Sequence, residues 1–307
     1  MATSGSVDFG VDRDDIITEA LLVMGVLAEG DSPSTNQLTS LSVTLNLLVK
    51  AWQAEGLNLF AIQNGYLFLE EGKTSYVFGT DHITTSFTAG ALDSAAAASA
   101  STIDITDNTA SDGDYIGITL DDGSIQWTTV NGAPVGATIT LTDALTGAAA
   151  VSNRVIYYTT KANAPMQISD VVRRNTSNID TLVYGMTRGS YHGLGDKTAE
   201  GYVHHIYYDN GTIYVDQPNS NDTDMLVMKW ERRLDDFDAA TDDADFPQEW
   251  HLPLVWNLAV LASPKYGVPA LQYQQIASQA AYWKDVAEGF DRECVVTFSP
   301  KTERHYW

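Results

Sequence analysis

The chain has 307 residues, 44% of them hydrophobic, with 17 Lys and Arg set against 40 Asp and Glu for a formal net charge of −23. That apolar content suffices for one large core or a few smaller ones and excludes wholesale disorder. The charge repels phosphates over most of the surface and disfavours tight binding to nucleic acid or anionic membrane; it suits either plain solubility or a wall past which DNA slides without sticking.

A lone cysteine, Cys294, excludes an intrachain disulfide framework. No apolar run reaches the roughly 18 residues of a membrane span, and "MATSGSVDFG" lacks the basic start and apolar centre of a secretory signal. A soluble chain made in a cytosol is expected.

"DRDDIITEALLVMGVLAEG" predicts a first helix. Asp12 is its N-cap, Asp14 and Asp15 sit where the helix dipole favours negative charge, and Ile17, Leu21, Met24 and Ala28 line one face before a stop at Gly30. A second helix begins at "DSPST", capped by Ser32 with Pro33 first, and ends at Gly56. Within it Leu38, Leu41, Leu45, Leu48 and Trp52 recur at steps of three and four, the spacing of one apolar face available for bundle or subunit packing. The short loop between the helices makes them antiparallel neighbours.

The period then changes to two. "GYLFLEEGKTSYVFG" reads as a β-hairpin of Tyr66 to Leu69 with Ser75 to Phe78. From 82 to 164 the composition shifts to Thr, Ala, Ser, Gly and Asp, with five or six strand-like runs and turn signals at Asp122-Gly123 and Asn131-Gly132, suggesting a small β-sandwich or barrel. "LDSAAAASAS" at 92–101 fits either a short helix or a loop. A second β-rich segment follows Pro165, and "DNG" at 209–211 is its strongest hairpin signal, because Asn-Gly tolerates the positive φ angles of a type I′ turn. After an acidic, turn-rich linker, "DDFDAATDDADFPQ", two helices close the chain. Pro253 sits in the first turn of one, and the other carries Leu271, Ile276, Ala280 and Trp283 as its inner face.

Chemistry-bearing motifs are weak. Gly72-Lys73-Thr74 lacks the upstream glycine of a phosphate loop, since position 67 is Leu67, and a strand follows instead of a helix. The aspartates of "DDFDAATDDADF" lack the glycine and closing glutamate of a calcium loop, and those around Asp112, Asp114, Asp121 and Asp122 are accounted for by turn chemistry. His204 and His205 are adjacent on a strand and so face opposite ways, which disfavours a shared metal. No catalytic residues, metal or cofactor are expected. The tail "RECVVTFSPKTERHYW" is different: Lys301, Arg304 and His305 supply charge beside Phe298, Tyr306 and Trp307, the make-up of a docking peptide with aromatic anchors.

The order of these segments resembles the head-to-tail adaptor (connector) proteins of short-tailed bacteriophages, the tail accessory factor group of phage P22. The similarity lies in "IITEALLVMGVLAEGDSPS" followed by "LTSLSVTLNLLVKAWQAEGLNLF", in "GYVHHIYYDNGTIYVDQPNSNDTDMLVMKWERRL" with Pro218 as its single proline, and in "FPQEWHLPLVWNLAVLASPKYG" with Pro264, Tyr266 and Gly267. It covers 12–80 and roughly 165–290, and 82–164 departs from it as an inserted domain.

The resemblance implies a virion neck protein that forms a ring, usually a dodecamer. Such a ring binds beneath the portal protein through its C-terminal segments, extends the channel for genomic DNA, and offers its other face to tail or nozzle proteins. The fold expected is α+β: a helical bundle from 1–64 and 237–291, a hairpin at 65–81, an inserted β-domain at 82–164, a β-rich region at 165–236 and a docking tail at 292–307. Two other functions compete with the adaptor reading. One is a virion-associated peptidoglycan hydrolase using carboxylates such as Glu249 or Asp236, and the other is a receptor-binding module built on the inserted domain.

Overall fold

The computed structural model describes residue 5, residues 9–56 and residues 59–291, and shows a mixed α+β chain of two compact units. Of the described residues, those up to 61 and from 233 onward form one unit and 62–232 the other.

The first unit is helical. Helix α1 (Arg13–Val23) starts at Asp12, whose side chain accepts the Asp15 N–H at 2.8 Å. It ends at Met24, well before Gly30, because Gly25 already adopts the left-handed backbone (φ +67°) that glycine permits, and Ala28 is left exposed beyond it. Helix α2 (Thr35–Glu55) is capped by Ser34, not by Ser32: Ser34 accepts the Gln37 N–H while Gln37 accepts the Ser34 N–H at 2.8 Å, a reciprocal capping box. Gly56, at φ +77°, ends it. Helix α4 (His251–Tyr266) packs against α1, α2 and α5 (Ala270–Phe290), so the helices of both chain ends share one core. The expected acidic linker belongs to that core. Leu234, Phe237 and Phe246 are buried in it, and the Asn46 amide binds both the N–H (2.9 Å) and the carbonyl (3.2 Å) of Phe237.

The second unit is β-rich. In chain order its strands are β1 (Ile62–Phe68), β2 (Ser75–Val77), β3 (Ile83–Thr84), β4 (Thr88–Ala91), β5 (Thr102–Asp104), β6 (Tyr115–Thr119), β7 (Ile125–Thr129), β8 (Thr138–Thr140), β9 (Arg154–Tyr158), β10 (Gln167–Arg174), β11 (Asp180–Gly185), β12 (His205–Asp209), β13 (Thr212–Val215) and β14 (Met225–Glu231), with the short helix α3 (Arg188–His192) before β12. Eight form one sheet in the order β2-β13-β12-β11-β10-β14-β1-β3.

The expected hairpin of β1 with β2 does not form: β1 pairs with β14 and β3, and β2 pairs with β13. The segment between them is held elsewhere, with the Gly72 N–H on the Asn219 carbonyl and Lys73 bridging Glu70 and Asp81 at 2.7 Å each. The β12–β13 hairpin does form, with Asn210 at φ +46° and Gly211 at φ +84°.

Within 82–164, β3 joins the large sheet, and the rest builds a four-stranded sheet β4-β9-β6-β7 and a pair β5-β8 over their own core of Ile103, Ile116, Ile118, Ile139 and Val155. The alanine-rich 92–101 stretch is a loop tied down by the Leu92–Ile105 and Ala96–Ala149 bridges.

Candidate assembly surface

Leu41, Leu45, Leu48 and Trp52 are buried inside the helical core of their own chain, and Leu38 is half-buried against it. The stripe that the sequence offered for bundle or subunit packing is therefore covered by α4 and α1. What α2 leaves outside is Val43 and Leu47, one turn apart and 58% and 65% exposed. Sequence patterning passed over these two residues because they lie off the main stripe.

Helix α5 is more informative. Ile276 and Ala280 of its expected inner face are buried and Trp283 is half-buried, but Leu271 is 71% exposed, because the inner face runs through Ile276, Ala280 and Ala287 and leaves Leu271 on the other side. Tyr282, Val286 and Phe290 are exposed too, spaced by four residues along the helix. Large apolar side chains repeated along an outward helix face are characteristic of interaction surfaces. Helices α2 and α5 both pack on α4, with little direct backbone contact between them. Lys284 links them, bonding to Glu55 on α2 and pairing with Glu288 at 3.5 Å.

Among the described residues of this unit, several basic side chains are engaged within the chain. Lys50 pairs with Asp236 at 2.7 Å, Arg13 with Asp14 at 2.9 Å, and Lys265 donates to Thr44 Oγ1 at 2.6 Å. An apolar cleft of about 180 Å³ lies between Phe9, Val11, Ile16, Leu252 and Val255, with Asp15 and Glu19 also lining it. His251 borders it, and burial lowers its pKa, which favours the neutral ring.

Glu249 and Asp236 are both exposed at the surface, the latter in its ion pair with Lys50. Among the described residues no group of three or more His, Cys, Asp or Glu is placed to hold a metal ion, and no helix is long and apolar enough to cross a membrane. His205 pairs with Asp216 at 3.1 Å instead of with His204. Phe298, Lys301, Arg304, His305, Tyr306 and Trp307 lie outside the described residues.

No protein-family model matches the chain, and no curated protein matches it. Among solved structures, VP17, a capsid protein of bacteriophage P23-77, aligns over 54% of this chain and 81% of its own at 11% identity, with a TM-score of 0.12. A superposition that poor fixes neither fold nor function.

Proposed function

We propose that this chain is a structural virion protein, a head-to-tail adaptor that assembles into a ring in the host cytoplasm. The ring docks beneath the portal, extends the DNA channel and gives tail or nozzle components their attachment surface. Helices from both ends of the chain act as one wedge repeated about the ring axis, twelvefold as in the group that the sequence resembles. The net charge of −23 lets DNA pass without phosphate contacts, and the aromatic-basic tail at 292–307 grips the portal. No catalytic group or cofactor enters this function.

The observation that carries the reading is the presence of two exposed apolar helix stretches, Val43 with Leu47 on α2 and Tyr282 with Val286 and Phe290 on α5. A ring of identical subunits needs a heterologous contact, in which one face of each copy meets a different face of the next.

Native mass measurement of the purified protein, alone and with portal, tests the ring. Leu47→Asp and Val286→Asp each spoil one face, so each variant alone is expected to stay monomeric and folded. Mixed together, they retain one intact α5 face and one intact α2 face, and are expected to form a dimer that grows no further. A wild-type protein that stays monomeric both alone and with portal refutes the proposal, and so does a mixture that yields no dimer.

A further inference from the structure

The apolar cleft of the helical unit is built where three stretches of chain meet. Phe9 and Val11 lead into α1, Asp15, Ile16 and Glu19 come from its first two turns, and Leu252 and Val255 come from the first two turns of α4. Ile16 is buried, whereas Phe9 and Leu252 stay 68% and 42% exposed. Its volume of about 180 Å³ exceeds the roughly 150 Å³ of an engineered apolar cavity that takes up benzene, so one aromatic ring fits. Asp15 and Glu19 lie one helical turn apart, both exposed, and among the described residues neither has a cationic partner.

The chain itself carries a segment of matching chemistry. Helix α5 runs back along α4: Gln272 near its start bonds the Met24 carbonyl beyond α1 at 3.0 Å, the Asn257 amide reaches the Ala280 carbonyl, and Ala287 shares the core with Trp250. The end of α5 therefore lies beside the start of α4, the helix end that walls the cleft. Phe298 follows Asp291 by seven residues, a reach of about 23 Å in extended chain, enough to pass a helix about 10–12 Å across.

Phe298 is also the aromatic residue of 292–307 that suits this lining best. The Tyr306 hydroxyl and the Trp307 N–H need hydrogen-bond partners when buried, and Phe9, Val11, Ile16, Leu252 and Val255 present hydrocarbon. A phenyl ring needs none. Lys301 and Arg304 come next, against the single acid Glu303, and carry the charge that Asp15 and Glu19 leave unpaired.

We propose that the cleft is the docking site of this chain's own C-terminal segment, with the Phe298 ring seated between Leu252, Val255 and Ile16, and with Lys301 and Arg304 steered by Asp15 and Glu19. The inference concerns the free subunit and does not rest on the portal reading; a portal that takes the tail has to displace it from this cleft.

Methyl NMR of the full chain tests it, because a seated ring shifts the methyl signals of Val11, Ile16, Leu252 and Val255. Phe298→Ala is expected to move these four sets of signals and leave those of the buried core at Leu41 and Leu45 in place, with an unchanged melting temperature. Trp307→Ala is expected to leave all of them unmoved. Glu19→Lys is expected to move the cleft signals part of the way to their Phe298→Ala positions, and less so at high salt. Cleft signals indifferent to Phe298→Ala overturn the proposal, as do signals that respond to Trp307→Ala instead. Isotope-labelled Phe298→Ala mixed with unlabelled wild type is expected to keep its displaced signals. Their return to the wild-type positions overturns docking within one chain in favour of a segment donated by a second copy.

Discussion

His82 lies face to face with Trp127, ring centroids 3.9 Å apart and planes 11° apart, with its Nδ1 at 2.7 Å from the Tyr158 hydroxyl. Burial, together with the nearby cations Lys161 and Lys73, lowers its pKa from 6.5 to about 3, against a smaller opposing effect of Asp81. The fold therefore holds the neutral ring, whereas the unfolded chain takes up a proton as pH falls through about 6.5. Stability from this group is complete above that pH, declines below it, and stops declining near pH 3.

At pH 5 the difference favours the unfolded state by a factor of about thirty, or about 2 kcal/mol relative to pH 7.5. His82 is not fully buried, so solvent screening trims this to about 1–2 kcal/mol. Equilibrium urea unfolding of the wild type and of His82→Gln at both pH values isolates the effect, because every other titrating group is common to the two proteins. The wild type is expected to lose about 1–2 kcal/mol more than the variant on acidification. Equal losses would refute the assignment of a buried neutral imidazole.

Three further outcomes follow from the packing. Gly65→Ala places a Cβ 1.7 Å from the buried Trp230 ring, and it is expected to cost about 3 kcal/mol and lower the melting temperature of the β-rich unit; an unchanged melt would contradict the close approach. Asn46→Ala removes both bonds to Phe237 and is expected to cost about 1–3 kcal/mol, read as a shift in the urea midpoint with unchanged slope. Leu45→Ala is expected to cost about 2–5 kcal/mol and Leu271→Ala less than about 0.5 kcal/mol, so comparable losses in the monomer would reverse the assignment of inner and outer faces.

Local chemistry is the part of this fold that its sequence announces. Asp12 caps α1, Gly56 ends α2, and Asn210-Gly211 turns the β12–β13 hairpin, each a residue whose effect reaches only a few positions. Partner choice between strands reaches much further. The strands β1 and β14 are separated by most of the β-rich unit, yet Ile62 pairs with Glu231 and Phe68 with Met225 in an unbroken register. Nothing in the alternation of "GYLFLEEGKTSYVFG" distinguishes that partner from its neighbour β2, because alternation specifies which side chains turn inward and not which edge supplies the hydrogen bonds. The short helix α3 was masked for a related reason: its Thr187 cap is a local signal, but it lies in a glycine-rich stretch that reads as a loop. At Asp114 the turn chemistry legible in the sequence is only part of the environment. It accounts for the oxygen bound to Ser111 and leaves the other one out.

Periodicity has the same limit on helices, where it reveals an apolar stripe but not what covers it. On α2 the strong stripe is taken up inside the chain, and Val43 with Leu47 remains for anything outside. On α5 the usual arrangement is partly inverted. Small residues, Ala280 and Ala287, face inward, and α4 presents Ala259 and Ala262 to the shared core, close enough for the Asn257 amide to reach the Ala280 carbonyl at 3.3 Å. Tyr282, Val286 and Phe290 then point the other way. Burying large side chains and exposing small ones gains more from the hydrophobic effect, so a helix shaped only by its own chain has no reason to adopt this order. In the proposed ring, a neighbouring copy presenting Val43 and Leu47 would supply a second apolar layer beyond α5 without any partner of another kind.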